Sequence, residues 1–252
     1  MKKFVLCFLI LAFLVIFVNC TKISAKENYE YRLYTPETYR AEADTSKFDN
    51  DSKVLFIIDF SNSMNEKING KRKIDIAMDT LSSILPKISP NVQTGLRVYG
   101  HKSGFTYMQG CMASKLSVPL ARNNAQNIMS SMYKTQATGW TPITYSLKQA
   151  VNSDFLGVKG KKHIILLTDG GENCDESPCI FAIELMKTRD DISIDVIAFD
   201  LDDVEANNQL KCTALTTRGK FYSADDSDGL SNSLFDSLGI DKNVHGTIQF
   251  DD

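Results

Sequence analysis

Three short polar segments of this chain carry oxygen-bearing side chains that could together bind a divalent cation. The first segment contains Asp59, Ser61 and Ser63 and directly follows the apolar run 54–58. One carboxylate and two hydroxyl groups from a single tight turn are hard oxygen ligands, the kind that Mg²⁺ prefers. Ser61 and Ser63 could instead merely cap the helix that follows, because serine is a favoured N-cap residue.

The second and third segments decide between these two interpretations. Thr141 lies in a glycine-containing loop that leads into a predicted helix, and Asp169 follows the most hydrophobic strand predicted after the N-terminal leader. If Asp169 and Asp59 end neighbouring strands, their carboxylates repel each other unless a cation or a proton lies between them. A divalent ion would remove that repulsion, with one coordination position open for an outside ligand. The predicted ligands, some of them acting through water, are Asp59, Ser61, Ser63, Thr141 and Asp169.

The elements that must position these residues alternate between strand and helix. Continuous apolar runs such as 54–58, and 164–167 within the predicted strand 163–168, are typical of strands buried on both faces of a parallel sheet. The alternation predicts an α/β fold with a doubly wound, mostly parallel central sheet flanked by helices, and ligands of such sheets bind beyond the carboxyl ends of the strands. The predicted strands are 54–58, 95–99, 115–118, 163–168, 192–199 and 219–222. The predicted helices are 74–85, 123–133, 143–151, 178–187, 204–216 and 230–238, with a polar loop over 100–110.

The order of the three segments resembles a von Willebrand factor A (VWA) domain with a metal-ion-dependent adhesion site. Asp-x-Ser-x-Ser at 59–63, Gly-x-Thr-Pro at 139–142 and Thr-Asp-Gly at 168–170 match that site, and the resemblance covers about residues 53–239. The resemblance implies a Rossmann-like fold. It also implies that the five predicted ligands bind Mg²⁺, or alternatively Mn²⁺ or Ca²⁺, and that an Asp or Glu of a partner protein completes the coordination shell of the ion. The segments 99–101 and 173–179, with Cys212, look like those of a bacterial exported subgroup with paired cysteines.

The N-terminus predicts a targeting segment. Lys2 and Lys3 precede the apolar run 4–18, which is too short to cross a bilayer comfortably and has the length of a signal-peptide core. The leader could end after Ala25, or Cys20 could become a lipidated N-terminus, and an uncleaved anchor is the third alternative. The predicted organisation is a leader over 1–25, a tether over 26–52, the VWA domain over 53–239 and a tail over 240–252.

Cysteine usage agrees with export to the cell envelope. The cysteines beyond the leader are even in number and lie at Cys111, Cys174, Cys179 and Cys212. In an oxidising compartment this predicts two disulfides, for which three pairings are possible. A zinc site is the alternative, but C-x4-C with two distant cysteines is not a zinc-ribbon pattern.

Composition and missing motifs narrow the function classes. The formal net charge of −3 and the lack of a basic patch argue against nucleic acid as a partner. The first turn lacks the G-x-G-x-x-G of a dinucleotide site, and neither G-x-S-x-G nor HExxH occurs. We therefore predict no enzyme but a divalent-metal-dependent protein-binding module at the bacterial cell envelope, in contact with the membrane only through its leader or a lipid on Cys20. The alternatives are a structural domain with a bracing metal and, less favoured, a metal-assisted hydrolase.

Overall fold

The computed structural model describes residues 52–240 and confirms the predicted α/β class. The predicted leader, nearly all of the predicted tether and the tail beyond 240 lie outside the described residues. Eight strands are described: β1 Lys53–Asp59, β2 Lys67–Ile68, β3 Lys71–Arg72, β4 Gln93–Tyr99, β5 Ser114–Ala121, β6 Lys162–Thr168, β7 Ile192–Phe199 and β8 Phe221–Ala224. β2 and β3 form a separate small hairpin, and the other six form one sheet in the order β5-β4-β1-β6-β7-β8.

Helices flank this sheet. They are α1 Lys73–Ile84, α2 Tyr107–Cys111, α3 Ala125–Tyr133, α4 Ile143–Gln149, α5 Pro178–Met186, α6 Val204–Thr216 and α7 Ser227–Leu238. A 3₁₀ turn covers Asn62–Asn65, and one π-helical turn, Ala150–Asp154, extends α4. Within the described part of the chain, none of the helices has both the length and the apolar character needed to cross a bilayer.

The central strands β1 and β6 are buried along their whole length, as their apolar sequences predict. Alternate side chains of β1 enter two separate cores: Phe56 and Ile58 pack into one, and Leu55 and Ile57 into the other. β1 and β6 are parallel neighbours with Ile58 opposite Leu167. Their carboxyl ends therefore meet at one edge of the sheet, which is the condition that the two-carboxylate prediction requires.

Three local features differ from the predictions. β5 is longer than expected, and it pairs antiparallel with β4 at the edge of the sheet. The hairpin of β2 and β3 was not predicted, because two-residue strands carry no detectable period. The predicted polar loop contains α2, whose N-cap Thr106 accepts a hydrogen bond from the Gln109 backbone. A helix of five residues without a buried apolar stripe has no sequence period that would reveal it.

Two disulfides are present, as predicted, and the structure decides their pairing. Cys111 is joined to Cys174, with 5.5 Å between their Cα atoms, and Cys179 to Cys212, with 5.3 Å. The first ties the end of α2 to the loop that follows β6. The second joins α5 to α6.

Candidate metal centre

The first predicted segment forms a tight turn around a buried carboxylate. Asp59 is fully buried at the end of β1. Its Oδ1 accepts a hydrogen bond from the Ser61 backbone N–H at 2.6 Å, and its Oδ2 accepts one from the Thr168 hydroxyl at 2.7 Å. An aspartate that binds the backbone two residues ahead favours such a turn. The carboxylate is thereby held in one orientation at the sheet edge.

A chain of side-chain oxygens connects this turn to β6. The Ser61 and Ser63 hydroxyl oxygens lie 3.0 Å apart, and the Ser63 hydroxyl donates a hydrogen bond to Asp169 Oδ1 at 2.7 Å. Adjacent oxygens of an octahedral Mg²⁺ shell with bonds of about 2.0–2.1 Å lie roughly 2.8–3.0 Å apart. The spacing of these oxygens fits the edges of such a shell.

The second predicted segment, which contains Thr141, reaches the same place through backbone pairing. Ser61 and Gly139 form a parallel bridge in which the Asn62 N–H donates to the Gly139 carbonyl at 3.0 Å. The Thr141 N–H donates to Asn173 Oδ1 at 2.8 Å, and the Thr141 hydroxyl oxygen lies 3.9 Å from the position a Cβ would take on Gly170.

All five predicted ligands therefore lie at one edge of the sheet. Two of them, Ser63 and Thr141, line a cleft of about 500 Å³ together with residues that include Gly170, Glu172 and Asp203.

The electrostatics of this edge also fit a cation. Burial, and then the charge of Asp169, raise the pKa of Asp59 to about 7. Burial also raises the pKa of Asp169, although hydrogen bonding from Ser63 and the nearby Lys73 ammonium partly oppose it. Asp169 Oδ2 is buried and lies 3.2 Å from the Lys73 Nζ, without hydrogen-bond geometry to it. Two buried carboxylates that repel each other and lie beside a single ammonium group form an environment that a bound divalent cation would stabilise.

Comparison with known families identifies the domain that carries this site. Residues 53–236 match the von Willebrand factor type A domain. The chain belongs to this family. Among similar proteins are the uncharacterized proteins YwmC and YwmD of Bacillus subtilis (strain 168), each 30% identical to this chain. The YwmC match covers 75% of this chain and 84% of YwmC, and the YwmD match covers 71% and 81%.

Solved VWA structures share the fold. A von Willebrand factor type A protein from Catenulispora acidiphila superposes with a TM-score of 0.60 at 17% identity, covering 75% of this chain and 42% of its own. Proximal thread matrix protein 1 from the mussel byssus, with zinc in its MIDAS motif (metal-ion-dependent adhesion site), superposes with a TM-score of 0.56 at 20% identity. The match covers 75% of this chain and 45% of the mussel protein chain. The chain thus spans under half the length of these two solved chains.

Several site residues of this VWA domain were not predicted. Thr168 binds Asp59, and its place directly before Asp169 was the available signal. Asn173 holds the Thr141 backbone, and Lys73 lies against Asp169. Asn173 begins the segment 173–179 noted for its cysteines, but neither residue was predicted to belong to the metal site. Glu172 lies beside the site, and its carboxylate accepts hydrogen bonds from the backbone N–H groups of Thr144 and Cys174.

Gly100 allows the three loops to pack together, and its replacement should disturb the site. Its φ is +68°, and a Cβ there would lie 2.5 Å from the Ser61 backbone nitrogen. We expect Gly100→Ala to cost about 1–2 kcal/mol for the left-handed backbone and about 1–3 kcal/mol more for the overlap, and to weaken Mg²⁺ binding. Urea unfolding and calorimetric Mg²⁺ titration measure both effects.

Gly157→Ala is the matched control for this prediction. Gly157 has a similar φ of +73°, but no atom lies within 4 Å of the position its Cβ would take. The Gly157→Ala variant should lose only the free energy of unfolding that the left-handed backbone costs, about 1–2 kcal/mol, and should keep the Mg²⁺ affinity of the wild type. Equal losses in the two variants would contradict a role for Gly100 in packing the site.

Proposed function

We propose that this VWA domain is a divalent-metal-dependent protein-binding module, and that a carboxylate of the partner completes the shell of the ion. The observation that carries the proposal is the oxygen cluster of Asp59, Ser61, Ser63 and Asp169, which reaches an accessible cleft at Ser63 and Thr141. A positive ion held at the floor of a partly dehydrated cleft would bind an anionic side chain strongly and with strict geometry. The paired cysteines support an exported location at the cell envelope.

The ion would be held by Asp59, Ser61, Ser63, Thr141 and Asp169, in part through water. Both oxygens of Asp59 already accept hydrogen bonds from the protein, which favours contact through a water molecule for that residue. An all-oxygen set favours Mg²⁺, with Mn²⁺ and Ca²⁺ as alternatives. The zinc-occupied motif of the mussel protein supports a divalent ion in this fold. When bound, the ion would supply the positive charge that attracts the partner's acid.

Exposed apolar side chains beside the site support a protein partner. We call the group the aromatic face, and it consists of Phe105, Tyr107, Met108, Met112 and Trp140. Phe105 is fully exposed and Met108 is 71% exposed. Aromatic residues and methionine are enriched in protein interfaces, and contiguous apolar patches often mark binding sites.

The aromatic face is attached to the ligand loops. Trp140 directly precedes Thr141, and one side of its indole covers Gly110, where a Cβ would lie 2.3 Å from the ring. The Tyr107 ring packs edge-on against Trp140, and its hydroxyl donates to Asp175 in the loop that follows β6. Trp140 therefore both packs on the loop beneath it and remains 39% exposed. A partner whose acid reaches the ion would also contact this face.

Phe105→Ser and Met108→Ser should each weaken partner binding about tenfold or more while leaving Mg²⁺ affinity unchanged, because neither residue is a predicted ligand and both side chains are exposed. Partner affinity is measured by surface plasmon resonance, using the protein obtained in the capture experiment described in the next paragraph. Mg²⁺ affinity is measured by calorimetry. Leu156→Ser is the control, since Leu156 is 79% exposed but lies before the amino end of β6, away from the site. Full partner affinity in both serine variants would exclude the aromatic face from the interface.

The proposal is tested by capture from the source organism's envelope fraction with Mg²⁺ and with chelator, using the disulfide-bonded protein. We expect a partner retained only with the ion, and not by Asp59→Asn. Retention of the same proteins in chelator, or by the variant, would reject the proposal. Ion binding that raises the melting temperature while nothing is retained would favour a bracing metal.

A further inference from the structure

Lys73 places a buried positive charge beside the candidate metal centre. It begins α1, and only 4% of its surface is exposed. Its Nζ lies 3.2 Å from Asp169 Oδ2, 3.0 Å from Asp200 Oδ2 and 3.2 Å from Glu66 Oε2. Three carboxylates from separate loops therefore share one ammonium group.

The contact with Asp169 differs from the other two in its surroundings. The side chains of Glu66 and Asp200 are 68% and 38% exposed, whereas that of Asp169 is fully buried. Solvent screens the two exposed pairs, so the ammonium acts most strongly on the predicted metal ligand. The Lys73 backbone also donates a hydrogen bond to the Glu66 carbonyl at 2.9 Å, which fixes the start of the side chain.

Asp169 divides its two oxygens between different neighbours. Oδ1 accepts the hydrogen bond from Ser63, and Oδ2 faces the Lys73 ammonium without hydrogen-bond geometry. Resting on the metal site of the proposed function, we propose that Lys73 shares Asp169 with the divalent ion and thereby limits the ion's affinity. The ammonium directs Oδ2 away from the oxygen cluster and repels the incoming ion. Lys73 is thus a positioning residue that keeps ion binding weak enough to be reversible.

Removing this charge should tighten ion binding. In Lys73→Met the ion becomes the main counter-charge for Asp59 and Asp169, so we expect the Kd for Mg²⁺ to fall at least about tenfold. The metal-free variant should be less stable than the wild type, because Asp169 then lies buried beside Asp59 without a cation. The rise in melting temperature on adding Mg²⁺ should consequently be larger than in the wild type.

Isothermal titration calorimetry with MgCl₂ alone tests the proposal on the full chain with its disulfides intact. Lys73→Gln is the second neutral variant, and it can still donate hydrogen bonds to Asp169 if Lys73→Met does not fold. Lys73→Arg keeps the charge and should keep the wild-type Kd to within about threefold. Lys162→Met is the matched control: Lys162 is equally buried at 4%, but it pairs with Asp191 at the opposite end of β6.

The outcomes separate this inference from the function on which it rests. Tighter Mg²⁺ binding in the neutral Lys73 variants, with an unchanged Kd in Lys162→Met, supports it. A Kd in those variants that equals or exceeds the wild-type value overturns it while leaving the metal site intact. A wild-type domain that binds no Mg²⁺ overturns the proposed function and this inference together.

Discussion

Asp59→Asn should lose divalent-ion binding and, in the same variant, gain stability without metal. The buried Asp59 carboxylate lies near Asp169, and this repulsion contributes to its raised pKa. A unit of charge at 4 Å contributes about 4 kcal/mol at an effective dielectric of 20, so removing one carboxylate should weaken Mg²⁺ binding at least about a hundredfold. The metal-free protein is relieved of the repulsion and should unfold at a higher temperature at pH 8.

The local geometry accommodates the asparagine. Its Oδ1 can keep the hydrogen bond from the Ser61 backbone, and its amide can donate to the Thr168 hydroxyl. That hydroxyl can in turn donate to the Gly170 carbonyl, which lies 2.9 Å away. Both hydrogen-bond contacts of Asp59 are thus kept by the exchange, so the stability effect reports mainly the removed charge.

Asp154→Asn is the control, and we expect its free energy of unfolding to change in the opposite direction to that of metal-free Asp59→Asn. Asp154 is also a buried carboxylate, but Arg97 binds both of its oxygens at 2.7 Å. Removing its charge leaves a buried guanidinium without its partner and should cost about 3–5 kcal/mol, with no change in Mg²⁺ affinity. Thermal unfolding with and without Mg²⁺ distinguishes the two variants. An Asp59→Asn protein that is less stable than wild type and still stabilised by Mg²⁺ would contradict the metal site.

The stabilisation produced by Mg²⁺ should increase as the pH rises from 5 to 8. Burial raises the pKa of Asp59 to about 7 and also raises that of Asp169, so the metal-free folded state binds protons that the unfolded state has already released. These two groups therefore stabilise the metal-free protein at low pH, and that contribution is lost as the pH rises from the unfolded value of 3.8 through about 7.

An ion must displace these protons to bind. Mg²⁺ affinity should rise about tenfold per pH unit where one proton is released per ion, and level off above about pH 7. The measurement is the difference between the melting temperatures with and without Mg²⁺ at each pH. Taking this difference removes the contributions of titratable groups that behave in the same way with and without the ion. Asp59→Asn should flatten the profile. A wild-type difference that is constant from pH 5 to 8 would show that the two carboxylates do not bind the ion.

The fold was predictable because its signals are local. The continuous apolar run in β1 reports burial on both faces, and the predicted bounds of β7 and α6, 192–199 and 204–216, agree with the structure. Parallel strands bring their carboxyl ends to one edge, so the alternation of strands and helices placed Asp59 and Asp169 at the same edge of the sheet. That β1 and β6 are neighbours was a condition of the prediction, and the structure supplies it. The binding of an ion by these residues stays a prediction.

The tertiary structure alone decided which distant groups meet. The pairing of Cys111 with Cys174, and of Cys179 with Cys212, depends on how the loops cross the edge, and four cysteines allow three arrangements. Nothing in the sequence around Lys73, at the start of α1, distinguishes it from a solvent-exposed lysine, yet its ammonium group packs against Asp169 in the folded chain. Periodicity along a chain reports which faces are buried, whereas the partner of a buried charge is set by packing between segments far apart in sequence.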